Sequence, residues 1–319
     1  FMVDRIGAAW MMLVGLTIGG LGFLLLSQMG ESALIYYIAY FILSLGFSAG
    51  GFVPATAAVA KLLPTRRATG IAIVLAGSSI GGFTVPAISW GIKTHGFEST
   101  MMAIGIAGIT MAPVFFWAFS RRGVRPGDQD MDDPAKSGVV VDDGSFTLRE
   151  ATHTRTFWVL SGTHALANLS VGAVSAHLVL HLTDIGIPDL KAAGVIPIYL
   201  GIAFFAQLGG GFIGDKLDKR FILSTSLVIQ SISVIALAYA TSYSGAVVFA
   251  LLWGVGFGTR GPILHALRGD YFGARYFGSI LGISGFPMIL GMAATPILVG
   301  VAFDLQDTYK WAFLTTATT

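Results

Sequence analysis

Gly211-Phe212-Ile213-Gly214-Asp215-Lys216-Leu217-Asp218-Lys219-Arg220 is a glycine-spaced, charge-dense turn between two long apolar runs. A truncated echo, Asp4-Arg5-Ile6-Gly7, stands near the start of the chain, again just ahead of a long apolar run. The two copies lie roughly 200 residues apart. A charged turn repeated at that spacing between membrane-length segments predicts two structurally equivalent halves. It also leads to the expectation that the first half is incomplete in a chain that opens on Phe1.

Of the 319 residues, 54% are hydrophobic and 11% charged, against about 25% charged in a soluble domain. Too few charges exist to coat a soluble globule, so the expected partner of most of the surface is a lipid bilayer. The apolar runs are continuous rather than alternating, which excludes a membrane β-barrel. The 42 glycines suit helices that approach closely in lipid. With no cysteine there is no disulfide framework.

A bilayer core needs about 20 mostly apolar residues per helix. Ten candidate spans satisfy this: about 8–28, 34–57, 68–92, 100–119, 155–181, 192–213, 221–241, 245–267, 276–301, and from 310 to the end. Alternate links then place Arg5, Lys61, Arg66, Arg67, Lys216, Lys219, Arg220, Arg268 and Arg275 on one side, with Arg121, Arg122, Arg125, Lys136, Arg149 and Arg155 in or beside the long link. The other side holds Lys93, Lys191 and Lys310. This bias makes the Arg-rich side cytoplasmic and predicts a multi-pass protein of the cell (inner) membrane. The long link is rich in Asp, Pro, Gly and Ser and is expected to be a flexible connector. Its end, Ser145 to Ala151, is expected to form a short amphipathic helix. The expected domains are a first bundle over 1–120, a cytoplasmic connector over 121–153 and a second bundle over 154–319.

The chain resembles the major facilitator superfamily of secondary transporters. Gly211 to Arg220 matches the second copy of that family's G-x-x-x-D-[RK]-x-G-[RK]-[RK] signature, with Asp218 where the first copy usually has Gly. Asp4-Arg5-Ile6-Gly7 matches the centre of the first copy, with Ala8-Ala9 replacing the usual basic pair. The resemblance implies an all-α, two-bundle fold of twelve helices, of which about ten are expected here, helices 3 to 12 with the last truncated. A narrower likeness, to the monocarboxylate-transporter and oxalate/formate-antiporter branch, rests on Pro64 to Ala72, on Phe146 to Ala151 followed by Phe157-Trp158, and on Arg268 to Gly273. Relatives often carry an Arg in helix 8 where this chain has Gln207, so no substrate role for that Arg transfers.

Several residues are candidates for function. In the charged turns, Asp4, Arg5, Gly7, Gly211, Asp215, Lys216, Asp218 and Arg220 form a gating motif whose carboxylates cap a helix start or pair with a cytoplasmic base; plain charge anchoring is the alternative. Arg260 lies about two-thirds into its span, where a charge costs about 2.5–3.5 kcal/mol. No Asp or Glu occupies the middle of any span. A forked guanidinium suits a carboxylate, so Arg260 is a substrate candidate; snorkelling or an acid outside the sequence would serve it equally. His164 and Asn168 share a helix face and are further substrate candidates, with interhelical bonding as their alternative; Ser175 lies near the same stripe. Tyr40 is deep enough to meet substrate, though interfacial aromatics are common. His177 and His181 are expected to pack, since two ligands make no metal site. Gly77-x-x-x-Gly81 and Gly278-x-x-x-Gly282 are expected at helix contacts, and Pro86, Pro262, Pro287 and Pro296 at points of bending. Gly254, Gly256 and Gly258 follow no strand, so they form no nucleotide loop.

No nucleophile–base pair, phosphate loop, metal or cofactor motif is present, and neither enzymatic activity nor nucleic-acid binding is expected. The expected function is secondary active transport of a small anionic, monocarboxylate-like solute by alternating access. A co-transported proton or a counter-anion is the candidate coupled species. The alternatives are a carrier of a neutral or drug-like solute with Arg260 structural, or a non-transporting receptor of the same fold.

Overall fold

The computed structural model describes residues 2–120 and 144–317, with the side chains of Met2, Asp4, Lys61, Pro64, Phe83, Val85 and Pro86 outside that description. Most of the connector, with Arg121, Arg122, Arg125 and Lys136, thus lies outside the described residues. Every described element is helical: α1 (Met2–Ile6), α2 (Ala8–Leu26), α3 (Ala33–Gly50), α4 (Phe52–Leu62), a single tight turn (Pro64–Arg66), α5 (Arg67–Phe83), α6 (Val85–His95), α7 (Phe97–Ser120), α8 (Leu148–Thr152), α9 (Arg155–Asp184), α10 (Asp189–Gly214), α11 (Lys219–Ala238), α12 (Tyr243–Phe272), α13 (Phe277–Gln306) and α14 (Lys310–Ala317). Among the described residues, eight segments are long and apolar enough to cross a membrane: α2, the stretch from Ala33 to Ala60, α7, and α9 through α13. The protein is an all-α, multi-pass membrane protein.

Two expected spans are interrupted, each for a local reason. The run 34–57 turns at Gly51 (φ −88°, ψ −126°), where a Cβ would overlap the Phe47 carbonyl. The run 68–92 turns at Thr84, ahead of a proline in the first turn of α6. A proline has no N–H to give and so suits a helix start. By contrast α12 runs unbroken through Pro262, and α13 through Pro287 and Pro296; membrane helices tolerate proline where neighbouring groups re-satisfy the freed backbone. The expected amphipathic helix from Ser145 begins only at Leu148. Ahead of it, Phe146 N–H donates to the Phe272 carbonyl at 3.0 Å and the two rings meet edge to face.

The chain forms two compact units. One comprises Phe1–Pro64, Phe83–Thr147 and Phe272–Ile280; the other comprises Thr65–Gly82, Leu148–Tyr271 and Leu281–Thr319. In the first, α2 packs between α3 and α7. Its glycines set those contacts: a Cβ on Gly15 would overlap the backbone of Gly50, and one on Gly20 would press on the Gly105 carbonyl. Lipid tails are as apolar as leucine, so close backbone packing rather than hydrophobic burial joins such helices.

In the second unit, Leu182, Val195, Leu237, Phe249, Trp253 and Phe313 form an apolar core. Here Gly254, Gly256 and Gly258 of α12 find their purpose. Gly254 and Gly258 lie against Ile202 and Ala203 of α10, and Gly256 against Ser226 and Gln230 of α11. The Gly77 and Gly81 step behaves differently from expectation: among the described residues, no side chain or neighbouring backbone lies within 4 Å of where a Cβ would stand on either, or on Gly282. These positions do not form tight helix contacts. A further correction concerns Arg268, expected in a link on the cytoplasmic side. Helix α12 continues to Phe272, and Arg268 is 1% exposed.

Candidate functional site

The turn after α10 is built by its glycines. A Cβ on Gly211 would overlap the Ala68 carbonyl and the Ala72 methyl, and one on Gly214 would overlap the Ile263 side chain. Their absence lets the end of α10 reach the start of α5. Asp215, at the end of α10, then places both carboxylate oxygens on α5: Oδ1 accepts from Ala68 N–H at 2.9 Å and Oδ2 from Thr69 N–H at 3.0 Å. The first turn of a helix has unmatched N–H groups and the positive end of the helix dipole. A carboxylate there makes charge-assisted bonds. Asp218 caps its own helix instead, accepting from Arg220 N–H at 2.8 Å.

The basic residues of the turn are each accounted for. Lys216 Nζ sits 4.0 Å from the Phe212 ring centre, and the Arg220 guanidinium 5.4 Å from that of Tyr271. Lys219 Nζ lies 2.8 Å from Asp270 Oδ2, and Arg67 Nη1 donates to Asp270 Oδ1 at 3.0 Å. Asp270 therefore bridges the starts of α5 and α11. Sequence reasoning missed this bridge, because Arg67 and Asp270 are 203 positions apart. In the first copy of the motif, Gly7 separates α1 from α2 at φ 91°, a backbone that favours glycine. Arg5 is exposed, and the Asp4 side chain lies outside the described residues.

A second cluster is buried beside this clasp. Arg260 is 3% exposed, and its Nε and Nη1 have no hydrogen-bond partner. Its guanidinium lies 5.8 Å from the Phe257 ring centre. Two turns on, Arg268 directs Nη2 to His164 Nδ1 at 3.1 Å and Nη1 to His265 Nδ1 at 3.3 Å; its Nε has no partner. A guanidinium only donates, so both histidines accept through Nδ1 and carry their proton on Nε2. The two rings meet edge to face, 5.4 Å between centres. Among the described residues, no carboxylate bonds to Arg260 or Arg268.

Of the predicted substrate residues, His164 joins this cluster. Asn168 does not reach the His164 ring; its Nδ2 donates to the His164 carbonyl at 2.8 Å. Ser175 likewise bonds within its helix, to Gly172 O at 3.2 Å. Tyr40 is in the other compact unit, 48% exposed and packed on Tyr36 with ring centres 4.5 Å apart. Gln207 is buried and accepts from Ser79 Oγ at 3.1 Å. His181 Nε2 donates to the Leu237 carbonyl at the end of α11, and His177 Nε2 to the Pro296 carbonyl. Among the described residues no group of three His, Cys, Asp or Glu is placed to hold a metal. Arg268 and His265 are the functional candidates that sequence reasoning missed; their three-residue spacing, within reach of Arg260 on the same helix, was the available signal.

Comparison with known proteins bears on this geometry. The family model of the Major Facilitator Superfamily matches residues 1–296. Monocarboxylate transporter 2 of Mus musculus is 22% identical over 333 residues, covering 99% of this chain and 69% of that protein. Monocarboxylate transporter 4 of Mus musculus is 24% identical over 289 residues, 88% of this chain and 60% of that protein. The oxalate:formate antiporter of Oxalobacter formigenes is 28% identical over 225 residues, 68% of this chain and 50% of that protein. The chain thus spans 50% to 69% of the length of these relatives. Among solved structures, the transporter FucP in the outward conformation aligns with a TM-score of 0.75 at 13% identity, over 100% of this chain and 84% of that one. The human organic anion transporter MFSD10 aligns with a TM-score of 0.73 at 15% identity, over 99% of this chain and 76% of that one.

Proposed function

The chain belongs to the Major Facilitator Superfamily, and from that premise we propose that it is a secondary active transporter moving a small organic anion, monocarboxylate-like, by alternating access. The observation that carries this reading is Arg260: a buried guanidinium with two nitrogens lacking partners and no bonded carboxylate among the described residues. An isolated buried charge is expensive and calls for a counter-charge. An anionic substrate supplies one, and His164 adds a polar group of the same cluster. The relatives named for monocarboxylates, oxalate and formate support the same class of solute.

In this proposal residues 1–120 and 154–319 are the two bundles, joined by the connector 121–153. The Asp215 cap on α5 and the Asp270 bridge hold the cytoplasmic end shut while the site opens outward, and both must break for it to open inward. The motif at Asp4, Arg5 and Gly7 takes the equivalent part in the first half. The coupled species is a proton or a counter-anion.

The test is uptake of labelled monocarboxylates by the full-length protein in proteoliposomes, with Arg260→Ala alongside. We expect accumulation or exchange by the wild type and a drop of about tenfold or more in the variant, from the loss of a charge-assisted bond. Absence of any anion transport by the wild type sinks the proposal.

A further inference from the structure

We propose that α13 carries a hinge over residues 291–300 and that His177 of α9 is its latch, holding the outer end of α13 in place until the transport cycle releases it. The hinge is independent of which solute is moved. All of the residues concerned lie in one compact unit.

Three features weaken the α13 backbone here. Pro296 has no N–H, so the Met292 carbonyl loses its partner in the helix ladder. Thr295 Oγ1 donates back to the Gly291 carbonyl at 2.7 Å, a bond that often bends a helix. Gly291 and Gly300 flank the pair and add no side chain to restrain the backbone. Membrane helices keep such a break where a neighbouring element supports it.

That neighbour is α9. A Cβ on Gly172 would stand 2.8 Å from the freed Met292 carbonyl oxygen and 3.1 Å from Thr295 Cβ, and one on Gly291 would stand 3.0 Å from Leu169 Cδ2. Further along α9, His177 Nε2 donates to the Pro296 carbonyl at 2.9 Å. The bond uses the single N–H of a neutral imidazole, whose Nδ1 is buried and has no hydrogen-bond partner. Tyr309 packs on the imidazole with ring centres 5.1 Å apart, and itself stacks on Phe303 at 4.2 Å. Phe303 belongs to the last turns of α13 and Tyr309 follows that helix. A swing of the outer end therefore carries both rings away from His177 and breaks the latch in the same movement.

Spin-label distances in the purified full-length protein test this, after replacement of any cysteine outside these 319 residues. The labels go on Leu180→Cys of α9 and Leu305→Cys of α13, where the native side chains are exposed. With His177 in place, one narrow distance distribution is expected. His177→Phe keeps a ring against Tyr309 and removes the donor, and losing one hydrogen bond should raise the displaced population about fivefold. His177→Gln loses the ring, keeps an N–H donor, and should return the distribution toward that of the wild type. Pro296→Ala restores the missing ladder N–H, and in that background His177→Phe should change nothing. A distribution unmoved by His177→Phe overturns the latch. Equal broadening in the Pro296→Ala background overturns the hinge, because a mere loss of packing would persist there. Pro296→Ala alone supplies a test that needs no change at His177: turnover in proteoliposomes should fall several-fold at an unchanged half-saturation, and unaltered turnover contradicts the hinge. A wild type that moves no anion removes the anion-transport reading, while the distances still judge the hinge.

Discussion

At the scale of single residues, Arg260 and Arg268 differ in charge environment less than in how they announce themselves. Arg260 interrupts an apolar run, so its oddity is visible in the sequence. Arg268 stands where hydropathy fades, and there a basic residue reads as a topological anchor. The structure instead carries α12 on to Phe272 and closes α9 over Arg268, through a partner 104 positions away. No local pattern encodes such a contact. Substituting Arg260→Lys separates charge from fork geometry. Lysine keeps the point charge but loses the paired donors, so anion affinity should fall about tenfold while turnover at saturating substrate persists. Steady-state uptake over a range of substrate concentrations reads this directly, and an unchanged half-saturation would show that the fork makes no contact with the anion.

Elements meet where glycine allows it, and the charged turn is the clearest instance. Gly211 and Gly214 let α10 approach α5, and Asp215 then satisfies two N–H groups of the α5 start. The glycine and acid spacing was visible in the sequence, whereas the partner helix was not. Asp215→Asn keeps the size and removes the charge, leaving one acceptor oxygen for two donors. The cap should weaken and α5 should separate from α10 more often. These 319 residues contain no cysteine, so Ser79→Cys, at the buried Ser79–Gln207 contact, adds a reporter thiol at that contact. Its alkylation should be several-fold faster in the Asp215→Asn background; an equal rate would remove the cap from the gating cycle. Gly211→Val tests the approach itself. Its branched side chain would strike Ala68 and Ala72, and overpacking of this kind costs about 1–3 kcal/mol. A lower thermal midpoint in detergent is the expected result, and an unchanged midpoint would show that the contact yields without cost.

For the whole molecule, composition and periodic apolar runs made the helical membrane fold readable almost end to end, because a bilayer imposes one length and one backbone solution on each span. The interruptions at Gly51 and Thr84 escaped, since each depends on a local clash or a proline-led helix start rather than on hydropathy. The candidate cluster on α12 was half visible for the reason already seen at Arg268. In our proposal this fold moves anions through the buried arginine of α12. Uptake of labelled carboxylates into proteoliposomes, comparing the full-length wild type with Arg260→Ala, tests it most directly. Concentrative uptake or exchange by the wild type, lost in the variant, is the expected result. Wild-type vesicles that neither accumulate nor exchange any carboxylate would contradict it.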